Sequence, residues 1–380
     1  MEESRLCHLL WMIASLPPGS VQLHRLLERF GSPEQVFLAT EEELQASGLL
    51  QDREIAALAQ NRDLRIVEKV FRRCEESGLW MMTMEDADYP RRLREIDNPP
   101  LLLFGKGVRL PDDAAVQISV VGTRQMTVYG SRTAKTIAHD LAACGCRIVS
   151  GMAEGIDACA HRGALEADAP TVAVLAGGAD VIYPYTNTSL YWDIAETGCV
   201  LSEFLPGTRA LRHHFQIRNR LLAGMSDGVL VVQSPKKSGS MITVKWALAY
   251  NREVFAVPGD ADVQQNAGTN ELIRDGAKLT TGALDILEEF GPVAEAAARR
   301  LAGDAVPAPP DAAEPNPPPD DTAAQIIRLL VGRDMDASAL AAETGLSLGD
   351  LIYQLTELQI QGIITEKPGG IYAVSRGYTI

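Results

Sequence analysis

Between residues 115 and 290 the chain alternates short apolar runs with amphipathic segments, and this alternation constrains the fold more than any other feature. The apolar runs are rich in β-branched residues and read VQISVVG, CRIVSG, TVAVLAGG, CVLSEF, GVLVVQS and EVFAVPG. SRTAKTIAHDLAACG and MITVKWALAYN, in contrast, have helical periodicity. Strands that are apolar throughout and joined by helical crossovers form a parallel sheet covered on both faces. The sequence therefore predicts an α/β region built on a parallel sheet.

The first 85 residues predict a small helical domain. Gly31 follows RLLERF as a helix C-cap, and Ser32 and Thr40 each precede a new helix as N-caps. Acidic residues crowd the first turn after Thr40, where they favour the positive end of the helix dipole. Residues 86–290 then form the sheet-containing domain.

A linker and a fourth segment complete the predicted organisation. Residues 303–321 contain seven Pro and five acids but no base, which favours an extended acidic tether over 291–321. Residues 322–380 read as three helices and then two strand-like runs around a Pro-Gly-Gly turn. That order is typical of a winged helix-turn-helix.

Charge and cysteine content limit the classes of function. The net charge is −15, yet residues 205–252 hold eight Lys or Arg and a single acid, Asp227, giving a local charge of +7. This window predicts an anion-binding feature, unless acids from elsewhere surround it in space. Six sparse Cys indicate reduced thiols and a cytoplasmic protein. The start is acidic rather than basic, and no stretch reaches the ~20 apolar residues needed to span a bilayer, so neither a signal peptide nor a membrane partner is expected.

The first candidate binding turn is ISVVGTRQMTVYG, which runs from a strand into a helix. Gly122 would let the backbone approach a ligand, and Arg124 would add a forked cation beside the free N–H groups of the helix start. Neither the G-x-G-x-x-G fingerprint nor a G-K-[ST] phosphate loop is present. The alternative is a tight turn with a surface arginine.

A second Gly-rich turn begins at Ser150 and Gly151 in SGMAEGIDACAH, and a third lies in LAGGADVIYPY. Within the second, Asp157 and His161 are four residues apart on one helical face. They could form an acid–base or metal pair, although such a pair is more often a local hydrogen bond.

The segment HHFQIRNR predicts nucleic-acid contacts through Phe215, Arg218, Asn219 and Arg220. Cations beside one aromatic ring suit single-stranded nucleic acid, because phosphates bind the guanidinium groups and a base stacks on the ring. The alternative is a solvated helix start with a core phenylalanine. The two adjacent histidines have no carboxylate or Cys at ligand spacing, so no metal site is expected.

The fourth turn, SPKKSGS, contributes two cations and a small-residue phosphate cradle at a helix start. Its candidate residues are Lys236, Lys237, Ser238, Gly239 and Ser240. Because the carboxyl ends of parallel strands share one edge of a sheet, all four turns are expected to meet there.

These motifs together resemble the DNA-processing protein A family (DprA, also called Smf). The resemblance is carried in order by GTRQMTVYG, SGMAEGIDACAHRGAL, VLAGGADVIYP, SEFLPGT, FQIRNRLLAGMSDGVLVVQ, KSGSMITVKWALAYNREVFAVPG and GTNELIRDGA. It covers about residues 115–285, and the one departure noted is Gln216, where the family usually has Pro. The resemblance implies an extended Rossmann-like fold, preceded by a SAM-like or helix-hairpin-helix-like helical domain and followed by a winged helix. However, LPPGS lacks the Gly-x-Gly hairpin typical of DNA-binding members.

The resemblance also implies a function. Members bind and protect single-stranded DNA without chemistry during natural transformation, load the RecA recombinase onto it, and commonly form homodimers. The DNA pocket of the family is lined by residues that match Arg124, Phe215, Arg218 and Arg220. No cofactor, catalytic residue or metal is implied.

Two other classes remain open at this stage. The fold also resembles lysine-decarboxylase-like phosphoribohydrolases, which carry a Pro-Gly-Gly-x-Gly-Thr loop. Here only Pro258-Gly259 and Gly268-Thr269 remain of it, with Glu271 as an unpaired candidate acid. A transcription factor would read duplex DNA with the winged helix, but SLGDLIYQLTELQIQ has two acids and no base. We expect that helix to avoid phosphates and to serve protein interaction or regulation.

Overall fold

The computed structural model describes residues 2–110, 116–291, 321–330, 333–360, 363–367 and 371–374. They belong to two compact units, one within Met1–Val306 and one within Pro307–Ile380. The expected linker lies outside the described residues apart from its two ends, and so does the Pro-Gly-Gly turn of the expected wing. Within the described ranges, no helix is both long and apolar enough to cross a bilayer.

Six short helices open the first unit, and their caps follow from the sequence. They are α1 (Glu2–Ser15), α2 (Gln22–Phe30), α3 (Pro33–Leu38), α4 (Glu41–Ala46), α5 (Asp52–Gln60) and α6 (Arg65–Ser77). The Ser32 hydroxyl accepts the Gln35 N–H, and Thr40 forms a reciprocal capping box with Glu43. Gly31 ends α2 at a φ of 89°, a conformation that glycine adopts without strain. The helices enclose an apolar core around Trp11, which is fully buried.

A mixed sheet forms the centre of the first unit. Its described strands are β1 (Trp80–Thr83), β2 (Leu102–Gly107), β3 (Gln117–Val121), β4 (Arg147–Ser150), β5 (Thr171–Val174), β6 (Cys199–Ser202), β7 (Gly228–Val231), β8 (Glu253–Ala256) and β9 (Lys278–Leu279). They are ordered β1-β2-β6-β5-β4-β3-β7-β8-β9, and all neighbours from β6 to β9 are parallel.

The six apolar runs are the strands β3 to β8, so the predicted Rossmann-like parallel sheet is confirmed. The antiparallel strands β1 and β2 were not predicted. Since β1 begins at Trp80, the sheet starts before the expected boundary at residue 85.

Helices cover both faces of this sheet. They are α7 (Arg91–Arg94), α8 (Val128–Ala143), α9 (Ile156–Glu166), α10 (Thr188–Thr197), α11 (Arg212–Gly224), α12 (Ser240–Ala249), α13 (Ala267–Arg274) and α14 (Ala283–Leu287). Because side chains alternate along a strand, Val120 packs in the core that contains α8 and α9, whereas Val121 packs in the core that contains α11 and α12.

The strand order reverses between β3 and β7. From β3 the chain proceeds through β4, β5 and β6 on one side and then returns to place β7 and β8 on the other. In open parallel sheets, ligands bind outside the carboxyl ends of the strands at such a reversal. The turns after β3 and β7 are therefore expected to form a binding site.

The second unit has the winged-helix order that was expected. It contains α15 (Asp321–Leu330), β10 (Met335–Asp336), α16 (Ala337–Thr344), α17 (Leu348–Ile360), β11 (Ile364–Lys367) and β12 (Ile371–Val374), with sheet order β10-β12-β11. The short strand β10 was not predicted. Leu351, Leu355 and Leu358 of α17 are buried as expected, while Ile352 and Tyr353 are exposed.

Candidate nucleic-acid interface

A cleft of about 710 Å³ lies at the carboxyl edge of the sheet, beside the reversal between β3 and β7. Its walls come from the turn after β3, the start of α9, the segment around Tyr183, the first half of α11 and the turn that precedes α12. Nine of the predicted site residues line it. They are Gly122, Arg124, Phe215, Arg218, Asn219, Lys237, Ser238, Gly239 and Ser240.

Close packing explains the glycine in the turn after β3. A Cβ atom at Gly122 would lie 2.5 Å from the Ile156 side chain and 2.8 Å from the Gln233 carbonyl oxygen. The chain can therefore turn tightly here and place Arg124 in solvent at the cleft. After the turn, Thr127 starts α8 by accepting the Gly130 N–H at 3.2 Å.

Phe215 is the aromatic centre of the cleft. The guanidinium carbon of Arg124 lies 4.7 Å from the ring centroid and that of Arg218 lies 5.7 Å away. The Tyr183 ring meets Phe215 edge-on, with 5.9 Å between centroids. The phenylalanine is partly buried rather than enclosed in the core, so its ring is available beside two cations.

Arg218 is a fixed cation beneath the cleft surface. Although it is only 3% exposed, its Nη1 donates to the carbonyl oxygens of Gly151, at 2.7 Å, and Val174. Gly151 leaves room for this arrangement, because a Cβ there would lie 2.5 Å from the guanidinium. Burial lowers the pKa of Arg218 to about 10, although Asp157 opposes that shift. The group therefore stays charged at neutral pH.

Asp157 places one carboxyl group in this cationic cleft. Its carboxylate accepts the Ala153 N–H at 3.4 Å, and burial raises its pKa even though Arg218 acts in the opposite direction. The Asp157–His161 pair that the spacing allowed does not form among the described contacts. Instead, the His161 ring donates through Nδ1 to Thr171 at 2.8 Å, since the Thr171 hydroxyl itself donates to the Ile148 carbonyl oxygen. Burial lowers the pKa of His161 to about 3, so this histidine is neutral.

The Ser-Gly-Ser turn is tied to α11. The Asn219 side-chain amide donates to the Gly239 carbonyl oxygen at 3.0 Å, and the hydroxyls of Ser238 and Ser240 lie 2.9 Å apart. Lys237 is exposed at the cleft. Lys236 points elsewhere, because its ammonium pairs with Glu271 at 3.4 Å.

Like Lys236, the predicted residues Ser150 and Arg220 do not line the cleft. Ser150 is fully buried and donates to the Val120 carbonyl oxygen at 2.6 Å, which ties β4 to β3. Arg220 is 5% exposed and pairs with Glu203, and it also donates to the Asn98 carbonyl oxygen at 2.7 Å. Alternation around α11 explains this, since residues two apart on a helix face different directions.

Arg220 lines a separate cavity of about 280 Å³ between the helical segment and the sheet. Residues 16–20 and 98–102 form part of its wall, together with Glu203 and His214. In this structure Arg220 therefore lines a different cavity from Arg124 and Phe215, with which the resemblance had grouped it.

Sequence reasoning missed several residues that line the cleft, among them Thr123, Tyr183 and Arg212. Tyr183 lies in the third Gly-rich turn, which was identified by its glycines alone and not by the tyrosines that follow them. Arg212 was considered only as one of the eight Lys and Arg residues that make residues 205–252 positively charged.

The residues expected of a phosphoribohydrolase do not assemble in the cleft. The Gly268 N–H donates to the Ser234 carbonyl oxygen and the Gly259 N–H to Asn270, while Glu271 pairs with Lys236 and Arg274. None of these glycines, nor Glu271, lines the cleft. Among the described residues, no three His, Cys, Asp or Glu side chains group as a metal site.

Comparison with known proteins agrees with this architecture. A family model described as DNA recombination-mediator protein A matches residues 80–291, and one described as DprA winged helix domain matches residues 309–370. The chain is 37% identical to protein Smf of Synechocystis sp. over 77% of this chain and 79% of that protein. It is 39% identical to DNA processing protein DprA of Bacillus subtilis over 58% of this chain and 75% of that protein.

Two solved structures extend the comparison. DNA processing protein A from Streptococcus pneumoniae matches with a TM-score of 0.63 and 32% identity, covering 74% of this chain and 97% of that one. DNA processing protein A from Helicobacter pylori matches with a TM-score of 0.51 and 31% identity, covering 56% of this chain and 97% of that one. The Helicobacter structure concerns a single-stranded DNA binding mode of that protein.

Proposed function

Because the chain belongs to the DNA recombination-mediator protein A family, we propose that its cleft binds single-stranded DNA with little sequence preference. The observation that carries the proposal is the partly buried Phe215 ring with Arg124 and Arg218 beside it. An aromatic ring stacks on any base, and guanidinium groups bind any phosphate. The Helicobacter pylori relative, which is reported to bind single-stranded DNA, supports the same ligand.

The two arginines have different roles in this proposal. Arg124 is exposed and can follow a phosphate as the strand enters. Arg218 is held by the carbonyl oxygens of Gly151 and Val174, so it supplies a fixed positive charge behind the base. Lys237 and the N–H groups of the Ser-Gly-Ser turn, which also line the cleft, would bind a neighbouring phosphate.

The wider role follows from the family. We propose a cytoplasmic homodimer that protects incoming single-stranded DNA and loads RecA onto it during natural transformation, without catalysis. The domains proposed remain a helical domain, a sheet-containing domain to residue 290 and a winged helix over 322–380, with 291–321 as a linker. The first boundary, expected at residue 85, is moved to just before Trp80, where β1 begins. The helix α17 carries no Lys or Arg, so the winged helix is proposed to contact a protein or to regulate binding rather than to read duplex DNA.

Fluorescence anisotropy with single strands and blunt duplex of mixed sequence tests DNA binding. Log affinity for the single strand should fall linearly with log salt, and Arg124→Ala should reduce the slope by about 0.7, the value for one neutralised phosphate. Arg29→Ala removes an exposed arginine on α2 and serves as the matched control, with no change in slope expected. Equal or tighter binding of blunt duplex would contradict the proposal.

The RecA and dimer proposals need separate measurements. Light scattering should give twice the mass of the chain at high concentration. RecA filament growth on DNA coated with single-strand-binding protein should accelerate when the protein is added, and Arg124→Ala should reduce the effect. A strict monomer, or filament growth that the protein leaves unchanged, would count against these parts of the proposal.

A further inference from the structure

Two exposed tyrosines, one lining the cleft and one two residues further along the chain, have no role in the binding proposed so far. Tyr183 is 42% exposed and lines the cleft, while Tyr185 is 82% exposed at the start of the short 3₁₀ turn Tyr185–Asn187. We refer to Tyr183 and Tyr185 as the tyrosine ledge. Because the Tyr183 ring meets the Phe215 ring edge-on, the ledge continues directly from the aromatic centre of the cleft.

The backbone of the ledge is held to the cleft wall. The buried Asn187 side chain donates to the carbonyl oxygens of Met152, at 3.0 Å, and Ala153, at 3.3 Å. The Thr188 hydroxyl donates to the Tyr185 carbonyl oxygen at 2.7 Å, which fixes the turn from the other side. The two rings are therefore presented by a positioned segment, so a ligand would not have to order it on binding.

The rings themselves are free to accept a partner. Among the described residues, neither the Tyr183 nor the Tyr185 hydroxyl makes a hydrogen bond. Aromatic rings beside a cationic groove are the arrangement by which proteins stack the bases of a single strand. The shape of the partner must suit flat aromatic faces.

We infer that the tyrosine ledge is a second base-stacking position for the strand bound at Phe215. This inference rests on the proposed binding of single-stranded DNA and adds residues to it. Successive bases of a single strand can stack on successive aromatic side chains, and such stacking tolerates any sequence. The cleft then holds a run of consecutive nucleotides, with phosphates on the side of Arg124 and Lys237 and bases along Phe215, Tyr183 and Tyr185.

Stacking and charge contribute differently to binding, and this difference makes the inference testable. The ledge provides no cation. The nearest acid in sequence, Asp180, pairs with Arg73 at 2.6 Å, and Glu154 accepts a hydrogen bond from the Thr186 hydroxyl at 2.8 Å. Loss of a ledge ring should therefore weaken binding without changing the salt slope. Loss of Arg124 should change both.

The test uses the full-length protein and oligothymidylates of increasing length. Tyr183→Ala and Tyr185→Ala should each weaken binding of a long oligomer by about tenfold, while Tyr→Phe at either position keeps wild-type affinity because the ring remains. The shortest oligomers, which can occupy only the Phe215 position, should lose less affinity. Trp192→Ala, which removes an aromatic ring that is 51% exposed on α10 and does not line the cleft, is the matched control.

Photocrosslinking gives an independent readout. An oligomer that contains 5-iododeoxyuridine should crosslink to Tyr183 or Tyr185 in the wild-type protein and lose that crosslink in the alanine variants. If Arg124→Ala weakens binding but both tyrosine variants bind every oligomer normally, the inference is wrong and the proposed function stands. If the wild-type protein fails to bind single strands at all, the proposed function itself is wrong. Tyrosine variants that lower the salt slope would also overturn the stacking role.

Discussion

Replacing Arg220 by alanine should destabilise the first unit rather than abolish DNA binding directly. The side chains of Arg220 and Glu203 form an ion pair in which each is about one-twentieth exposed. Burial raises the pKa of Glu203 above its usual value, although Arg220 opposes that rise. Without Arg220 the carboxyl group would stay buried with no compensating cation, and such losses typically cost about 3–5 kcal/mol.

The free energy needed to protonate Glu203 sets the size of the destabilisation. Once unpaired, Glu203 can relieve its burial by binding a proton, which at pH 7 costs about 3.7 kcal/mol for a group whose unfolded pKa is about 4.3. At pH 5 the same step costs only about 1 kcal/mol. Because the native variant then binds a proton that the unfolded chain releases, its stability must fall as pH rises from 5 to 7. The pH dependence therefore distinguishes this mechanism from simple loss of packing.

Urea unfolding monitored by tryptophan fluorescence measures the effect. All four Trp residues lie in the first unit, so the signal reports on that unit alone. Arg220→Ala should lose about 4 kcal/mol at pH 7, equivalent to a drop in Tm on the order of 10 °C, and recover most of it at pH 5. The double variant Arg220→Met/Glu203→Leu, which replaces the pair by apolar side chains, should be close to wild type.

The opposite outcome would refute this reasoning. If Arg220→Ala unfolded at the wild-type midpoint at both pH values but lost affinity for single-stranded DNA, Arg220 would belong to the DNA interface. That is the role the family resemblance implies for this position, so the experiment decides between the two accounts.

Three further predictions concern the cleft and the tail. Phe215→Ala should weaken single-strand binding by roughly 1–3 kcal/mol in anisotropy titrations, whereas Phe215→Tyr keeps the ring and the affinity; an unchanged Kd in the alanine variant would place the ring in the core. Because burial raises the pKa of Asp157, its negative charge is lost at a higher pH than that of an exposed Asp, and binding should strengthen as pH falls. The Asp157→Asn variant should bind single-stranded DNA about fivefold more tightly at pH 8, because ~1 kcal/mol of repulsion is lost, and its affinity should change less with pH. A pH profile that matches that of the wild-type protein would contradict this prediction. A chain truncated after residue 300 should keep most of its single-strand affinity, and the isolated tail should leave duplex DNA unbound at physiological salt.

The sequence was sufficient to predict the parallel strands, because a strand buried on both faces is apolar at every position. The edge strand β1 was not predicted, because it is not buried on both faces. Trp80–Thr83 is short and partly exposed, and its pairing with β2 depends on contacts distant in sequence that no local pattern reveals.

The cleft was predictable to the extent that it follows from strand order. Turns at the carboxyl ends of adjacent parallel strands must converge, so Gly122, Arg124 and the Ser-Gly-Ser turn come together. The direction of each side chain around α11 was not predictable. Arg218 and Arg220 look equivalent in sequence. Around the axis of α11, however, their side chains are more than half a helical turn apart, so they face different directions. Only the packing of α11 decides which of the two faces the cleft.

The placement of α11 has a consequence for genetics. Arg218 and Asn219 on this helix serve the cleft, while His214 and Arg220 line the cavity against the helical segment. A random-mutagenesis screen for loss of function will thus recover two phenotypic groups interleaved within a few codons. Alleles of one group lower the amount of protein in the cell, and alleles of the other leave normal amounts of inactive protein. Immunoblotting must therefore precede any assignment of an α11 allele to the site, because proximity in the gene gives no guide to phenotype.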